Sequence, residues 1–87
     1  MKNAFIFRGD IYSFKKADIG VYIDVCKYLD INIVELHRRL NDADLEAMLT
    51  VIYYSLSNSK ELTIEDLKSM SLEEYELVSQ MFSEVQK

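Results

Sequence analysis

The chain opens on a two-residue rhythm of apolar positions and then changes to a helical one. Residues 4–7 and 11–16 are short apolar and aromatic segments around Arg8-Gly9-Asp10. Phe5 and Phe7 share one strand face, and Tyr12 and Phe14 share one face of the next. This alternation, with glycine at the turn, predicts a β-hairpin. A lone hairpin is marginal in water, so it must pack on the helices that follow.

From Ala17 the period lengthens. Ile19, Tyr22, Ile23, Cys26 and Leu29 recur at helical spacing, with Asp18 placed to begin the helix. Gly20 weakens the first turn by about 1 kcal/mol relative to alanine. Asn32-Ile33-Val34-Glu35 reads as a capping box opening a short helix through Leu40, which would bury Ile33, Leu36 and Leu40. Asn41 or Asp42 is then expected to cap a stronger helix over 43–57, with Leu45, Met48, Leu49, Ile52, Tyr53 and Leu56 as its stripe. Ser57-Asn58-Ser59-Lys60 reads as a loop. Thr63-Ile64-Glu65-Asp66 begins another short helix, and Ser71-Leu72-Glu73-Glu74 is a capping box for a last helix over 72–86. That helix carries Tyr75, Val78, Met81, Phe82 and Val85 on one face.

The pattern therefore predicts a mainly α fold, a small bundle of about five helices with an N-terminal β-hairpin. It is one domain over 1–87, with the hairpin in 4–16 and the helical part in 17–87. Composition agrees: 49% of the 87 residues are hydrophobic, proline is absent and glycine occurs twice, so little interrupts long elements. A single cysteine excludes an internal disulfide framework. The apolar run at the start is too short for a signal peptide, and no stretch approaches a membrane span. The expectation is a cytoplasmic protein without a membrane partner.

The net charge of −5 is unevenly spread. Residues 1–40 hold seven Lys/Arg against five Asp/Glu, whereas residues 41–87 hold three against ten. An acidic half repels phosphate backbones, so nucleic acid is not the expected partner. Opposite-signed halves would help copies meet, and homo-oligomers are expected.

Chemistry is sparse. His37 is the lone histidine, and neither neighbour at 35 or 38 faces it in the manner of a catalytic pair. Cys26 falls on an apolar helix face and reads as a core thiol. One cysteine and one histidine cannot make a four-ligand zinc site. Asp42, Asp44, Glu46, Glu73, Glu74 and Glu76 lack calcium-loop spacing and suit the first turns of helices, where the helix dipole favours negative charge. Arg8-Gly9-Asp10 matches a receptor-binding tripeptide, but a hairpin turn accounts for it. No enzyme, cofactor or metal is expected. Six tyrosines exceed what a small core needs, and tyrosine is favoured at interfaces. Tyr28, Tyr53, Tyr54, Tyr75 and Phe82 are the candidate protein-interaction residues.

The order of segments resembles the tail assembly chaperones of long-tailed bacteriophages and prophages. The resemblance runs from Phe5-Ile6-Phe7-Arg8-Gly9-Asp10-Ile11-Tyr12-Ser13-Phe14-Lys15-Lys16, through Ile31-Asn32-Ile33-Val34-Glu35-Leu36 and Leu45-Glu46-Ala47-Met48-Leu49-Thr50-Val51-Ile52-Tyr53-Tyr54, to Thr63-Ile64-Glu65-Asp66-Leu67. It implies a viral chaperone that coats a helical tape-measure protein, keeps it soluble and recruits tail-tube subunits. An acidic inhibitor that binds a basic nucleic-acid-binding host protein is the alternative, motivated by the charge of residues 41–87.

Overall fold

The computed structural model describes residues 4–57 and 62–87. Of the expected loop at 57–60, only Ser57 lies within them. Two strands, β1 (Ala4–Phe7) and β2 (Asp10–Ser13), are followed by helices α1 (Ile19–Leu29), α2 (Ile33–Asn41), α3 (Leu45–Tyr54), α4 (Ile64–Lys68) and α5 (Leu72–Gln86). The architecture is mainly α, five helices with an N-terminal antiparallel hairpin.

The hairpin follows from its turn. Phe7 pairs with Asp10, leaving Arg8 and Gly9 as a two-residue loop, and both have positive φ, 53° and 85°. Positive φ at both central positions is the turn whose twist matches paired strands. Phe5, Phe7, Tyr12 and Phe14 turn inward and are buried. Phe5 stacks on Phe14 with ring centroids 5.4 Å apart, and Phe14 meets the edge of Phe82 at 5.6 Å. Beyond Ser13 the chain stays extended: Lys15 N–H donates to Ser55 O, Ser57 N–H donates to Ser13 O, and Phe14 bridges Leu56. The outer edge of β2 is thus covered by the segment that leaves α3. Arg8 secures the other end, donating to Asp66 Oδ1 at 2.8 Å and Ser69 Oγ at 2.7 Å while lying over the Phe7 ring.

Two apolar clusters share α3. On one side Leu49, Ile52 and Leu56 meet the hairpin aromatics, Leu62, Leu67 and Val78. On the other, Ala47 and Val51 meet Val21, Val25 and Leu36. Thr50 and Ser55 are buried too, and each hydroxyl donates to a carbonyl four residues back, at 2.7 and 2.8 Å. The α5 stripe of Tyr75, Val78, Met81, Phe82 and Val85 packs inward as its spacing predicts, and Phe82 touches both clusters. Gln86, at the end of α5, accepts from Ala17 N–H and donates to Lys15 O, holding the hairpin-to-α1 connection.

Three expectations need correction. In α1 the buried residues are Val21 and Val25, while Ile19 (75% exposed) and Ile23 face outward. Residues two apart lie on nearly opposite sides of a helix, so this is a rotation of the predicted face. Ile33 and Leu45 are likewise exposed instead of buried. Second, α3 is capped by Asp44, whose carboxylate accepts from Ala47 N–H, and not by Asn41 or Asp42. Asn41 closes α2, and Asp42 is its C-cap. The chain reverses through Ala43 at φ 59°, with Asp44 N–H donating to Arg39 O. Third, Asn32 caps α2 as expected, but Glu35 turns to Arg38 and does not reach back to close a capping box. The boxes at Thr63/Asp66 and Ser71/Glu74 are complete.

Two substitutions test this account. Leu36→Ala, which empties a fully buried position, should cost about 2–5 kcal/mol in urea unfolding. Ala43→Gly relieves a left-handed conformation that disfavours a Cβ, and should stabilise by about 0.5–1 kcal/mol. An unchanged or lower midpoint for Ala43→Gly would remove the strained reversal from the account.

Candidate interaction surface

Apolar side chains left outside the core gather in grooves. One lies where α3, the end of α4 and the start of α5 meet. It encloses about 310 Å³ and is lined by Leu45, Leu49, Leu67, Met70, Leu72 and Tyr75. Leu72 is 63% exposed there, although it heads a well-capped helix. A second, of about 360 Å³, separates β1 from α5. A third, of about 550 Å³, runs between α1 and α2 over Ile19, Tyr22, Ile23, Cys26, Ile31 and Ile33. Scattered exposed leucines are ordinary, whereas apolar side chains gathered in a groove are the candidates for contact with another molecule.

The five candidate aromatics separate into three roles. Tyr28, Tyr54 and Tyr53 form a row, with ring centroids 6.3 Å and 5.1 Å apart and edge-on geometry. Tyr28 is its exposed end. Tyr53 is anchored, its hydroxyl donating to Leu62 O at 2.8 Å. Burial raises the Tyr54 phenol above its ordinary value, with smaller contributions from Tyr53, Asp24 and Tyr28. Tyr75 lines the α3–α4–α5 groove and directs its hydroxyl at Met48 Sδ, 3.6 Å away. Phe82 joins the two core clusters, so its first duty is packing. The structure therefore brings Tyr28, Tyr53 and Tyr54 together and leaves Tyr75 and Phe82 apart from them.

The exposed aliphatics were not singled out as interaction residues by sequence. Leu72 and Leu77 fall off the α5 stripe, and Ile33-Val34 are adjacent, so each set contains a residue that one buried face cannot absorb. That off-stripe position was the available signal.

Charge is organised around the α3–α4–α5 groove. Arg39, only 18% exposed at its side chain, donates to Asp44 at 2.8 Å and to Glu46 at 3.1 Å. Lys68 lies 3.6 Å from Glu46 and 3.5 Å from Glu65. The chain of pairs runs from α2 through α3 to α4. Arg38 meanwhile pairs with Glu35 and with Asp42 on the outer face of α2. Hydrogen bonding to Arg39, then to the Ala47 amide, holds Asp44 below the usual carboxylate range. His37 is exposed on α2, and Cys26 is half-buried in the α1–α2 groove. Among the described residues no group of three or more His, Cys, Asp and Glu is arranged to hold a metal ion, and no helix is long and apolar enough to cross a membrane. No family model matches the chain, and neither the characterised proteins nor the solved structures compared with it include a match.

The Asp44 pairing gives a pH prediction. Its carboxyl is depressed in the folded chain, so its contribution is present above the unfolded pKa and is lost as pH falls through the folded one. Asp44→Asn keeps a competent cap but loses the charge pair. Urea midpoints of the two proteins should differ at neutral pH and converge as pH falls below the ordinary aspartate range. A gap that stays constant with pH would show that the Arg39 pairing contributes nothing.

Proposed function

We propose that the protein is a non-enzymatic chaperone that binds an amphipathic helical partner, in the manner of the phage tail assembly chaperones it resembles. The observation that carries this reading is the apolar groove between α3, α4 and α5, where Leu45 and Leu72 stand exposed although both begin well-capped helices. Helical walls and a floor of Leu49, Leu67, Met70 and Tyr75 suit a helix-in-groove contact, with apolar residues at three- and four-residue spacing. Methionine and tyrosine adapt to varied side chains, as a partner with many similar repeats requires. The ion pairs of Arg39 and Lys68 with Glu46 rim the groove and support its solubility when empty. A protein of this kind works in the cytoplasm of the bacterial host, and association of its copies along a long partner fits the small size of each.

The acidic-regulator reading draws on Glu73 and Glu76, which have no ion-pair partner among the described residues. Salt separates the two. Apolar helix docking survives raised ionic strength, whereas capture of a basic protein by exposed carboxylates weakens steeply.

Co-expression with the long helical tape-measure protein of the same genome should raise that protein's soluble yield. Leu72→Glu should abolish the gain while moving the urea midpoint by no more than about 0.5 kcal/mol, as befits a surface position. Equal yields with and without the chaperone would overturn the proposal.

A further inference from the structure

Among the described residues the hairpin has one covered edge and one open edge, and the open edge borders a groove. Within a two-residue hairpin the closing pair, Phe7 with Asp10, exchanges hydrogen bonds, and alternate pairs do so thereafter. Phe5 with Tyr12 is therefore bonded, and Ile6 with Ile11 and Ala4 with Ser13 direct their N–H and C=O groups sideways. On the β2 side those sideways groups are used: Ser13 O accepts from Ser57 N–H at 2.9 Å. On the β1 side the backbone groups of Ile6 find no partner among the described residues. An unpaired strand edge is a template for another strand.

The groove between β1 and α5 runs along that edge. All four consecutive residues of Ala4–Phe7 line it, opposite Glu74, Leu77, Val78 and Met81. Successive strand side chains point to opposite faces, so a groove touching four in a row lies beside the strand and not above it. Its far wall is apolar apart from Glu74, and Leu77 stays 60% exposed within it. Glu74 is the one charged residue that lines it, so the rim is negative there.

We infer that this groove takes an extended peptide segment as a third strand beside β1, with apolar side chains directed at Leu77, Val78 and Met81 and a lysine or arginine at the Glu74 rim. Main-chain bonds to Ala4 and Ile6 supply affinity, and the α5 wall supplies selection, as in strand-addition sites generally. This site is separate from the α3–α4–α5 groove and does not depend on the chaperone reading.

The test uses the blocked peptide Lys-Val-Lys-Val-Lys-Val and its counterpart N-methylated at alternate residues, titrated into the full chain and followed by amide NMR. The expected result is that the first peptide shifts the Ala4, Ile6, Leu77 and Val78 amides and slows exchange of the Ile6 N–H. The methylated peptide binds at least tenfold more weakly. Leu77→Gln, which keeps a good helix former at an exposed site, should weaken binding about tenfold without changing the spectrum elsewhere. Ile6→Pro removes an outward N–H that β2 does not use, and should abolish binding while the hairpin persists. Equal binding of both peptides, shifts confined to other grooves, or no binding at all would overturn the inference. So would concentration-dependent Ile6 protection without peptide, which would assign the edge to a second copy of the chain.

Discussion

The fold depends on the middle of α3 being covered from two sides. Its ten residues include Ala47, Leu49, Thr50, Val51 and Ile52, all below one-tenth exposure, facing two separate apolar clusters. A helix flanked on two sides carries a broader apolar band than a single stripe, and its buried polar atoms must be satisfied internally. Thr50 does so by bonding back within the helix, and Ser55 follows at its C-cap. Every other element then acts as cover. The hairpin, α4 and α5 close one side of α3, and α1 and α2 close the other. With one short helix as the common core, each covering element buries only part of its apolar surface, and the remainder lines the grooves. The exposed Leu45, Leu72 and Ile19 are in this sense a consequence of chain length.

Polar contacts decide how the cover is held. Arg39 and Lys68 tie α2, α3 and α4 through Glu46, and Arg8 ties the hairpin turn to Asp66 and Ser69. Such exposed pairs contribute little singly, but each here joins two different elements, and Arg8–Asp66 spans 58 residues. The Arg8-Gly9-Asp10 tripeptide is absorbed by this arrangement. Its arginine is engaged with α4 and its glycine with the turn, so the motif has a structural use at each of those positions.

What could be read from sequence divides along physical lines. The hairpin faces, the Ser71 capping box and the α5 stripe were legible, because each is a local pattern with a local cause. The α2–α3 junction was not. A reversal of that kind usually announces itself with glycine in the left-handed position, but Asp30 and Ala43 occupy those positions here, at φ 58° and 59°. The visible candidates for a cap were then Asn41 and Asp42, three and two residues too early. The α1 face was misjudged for another reason. Val21, Tyr22, Ile23, Val25 and Cys26 run around the helix, so two faces are nearly equally apolar and only the position of α3 chooses between them. Of the candidate aromatics, adjacency correctly separated Tyr53 from Tyr54, which face different clusters. It could not indicate that Tyr53 ends on a backbone carbonyl.

The surplus apolar surface and the sparse chemistry belong together. The buried residues of α3 are taken up by packing against the two apolar clusters. What such a chain offers instead is relief on its outside: a groove with helical walls, a groove beside an open strand, and a negative rim at Glu74. These differ in the backbone geometry they accept. The first matches a helix whose own hydrogen bonds are complete, and the second matches a strand that still needs partners. The chaperone proposed above would use the two grooves to meet its partner chain in either state.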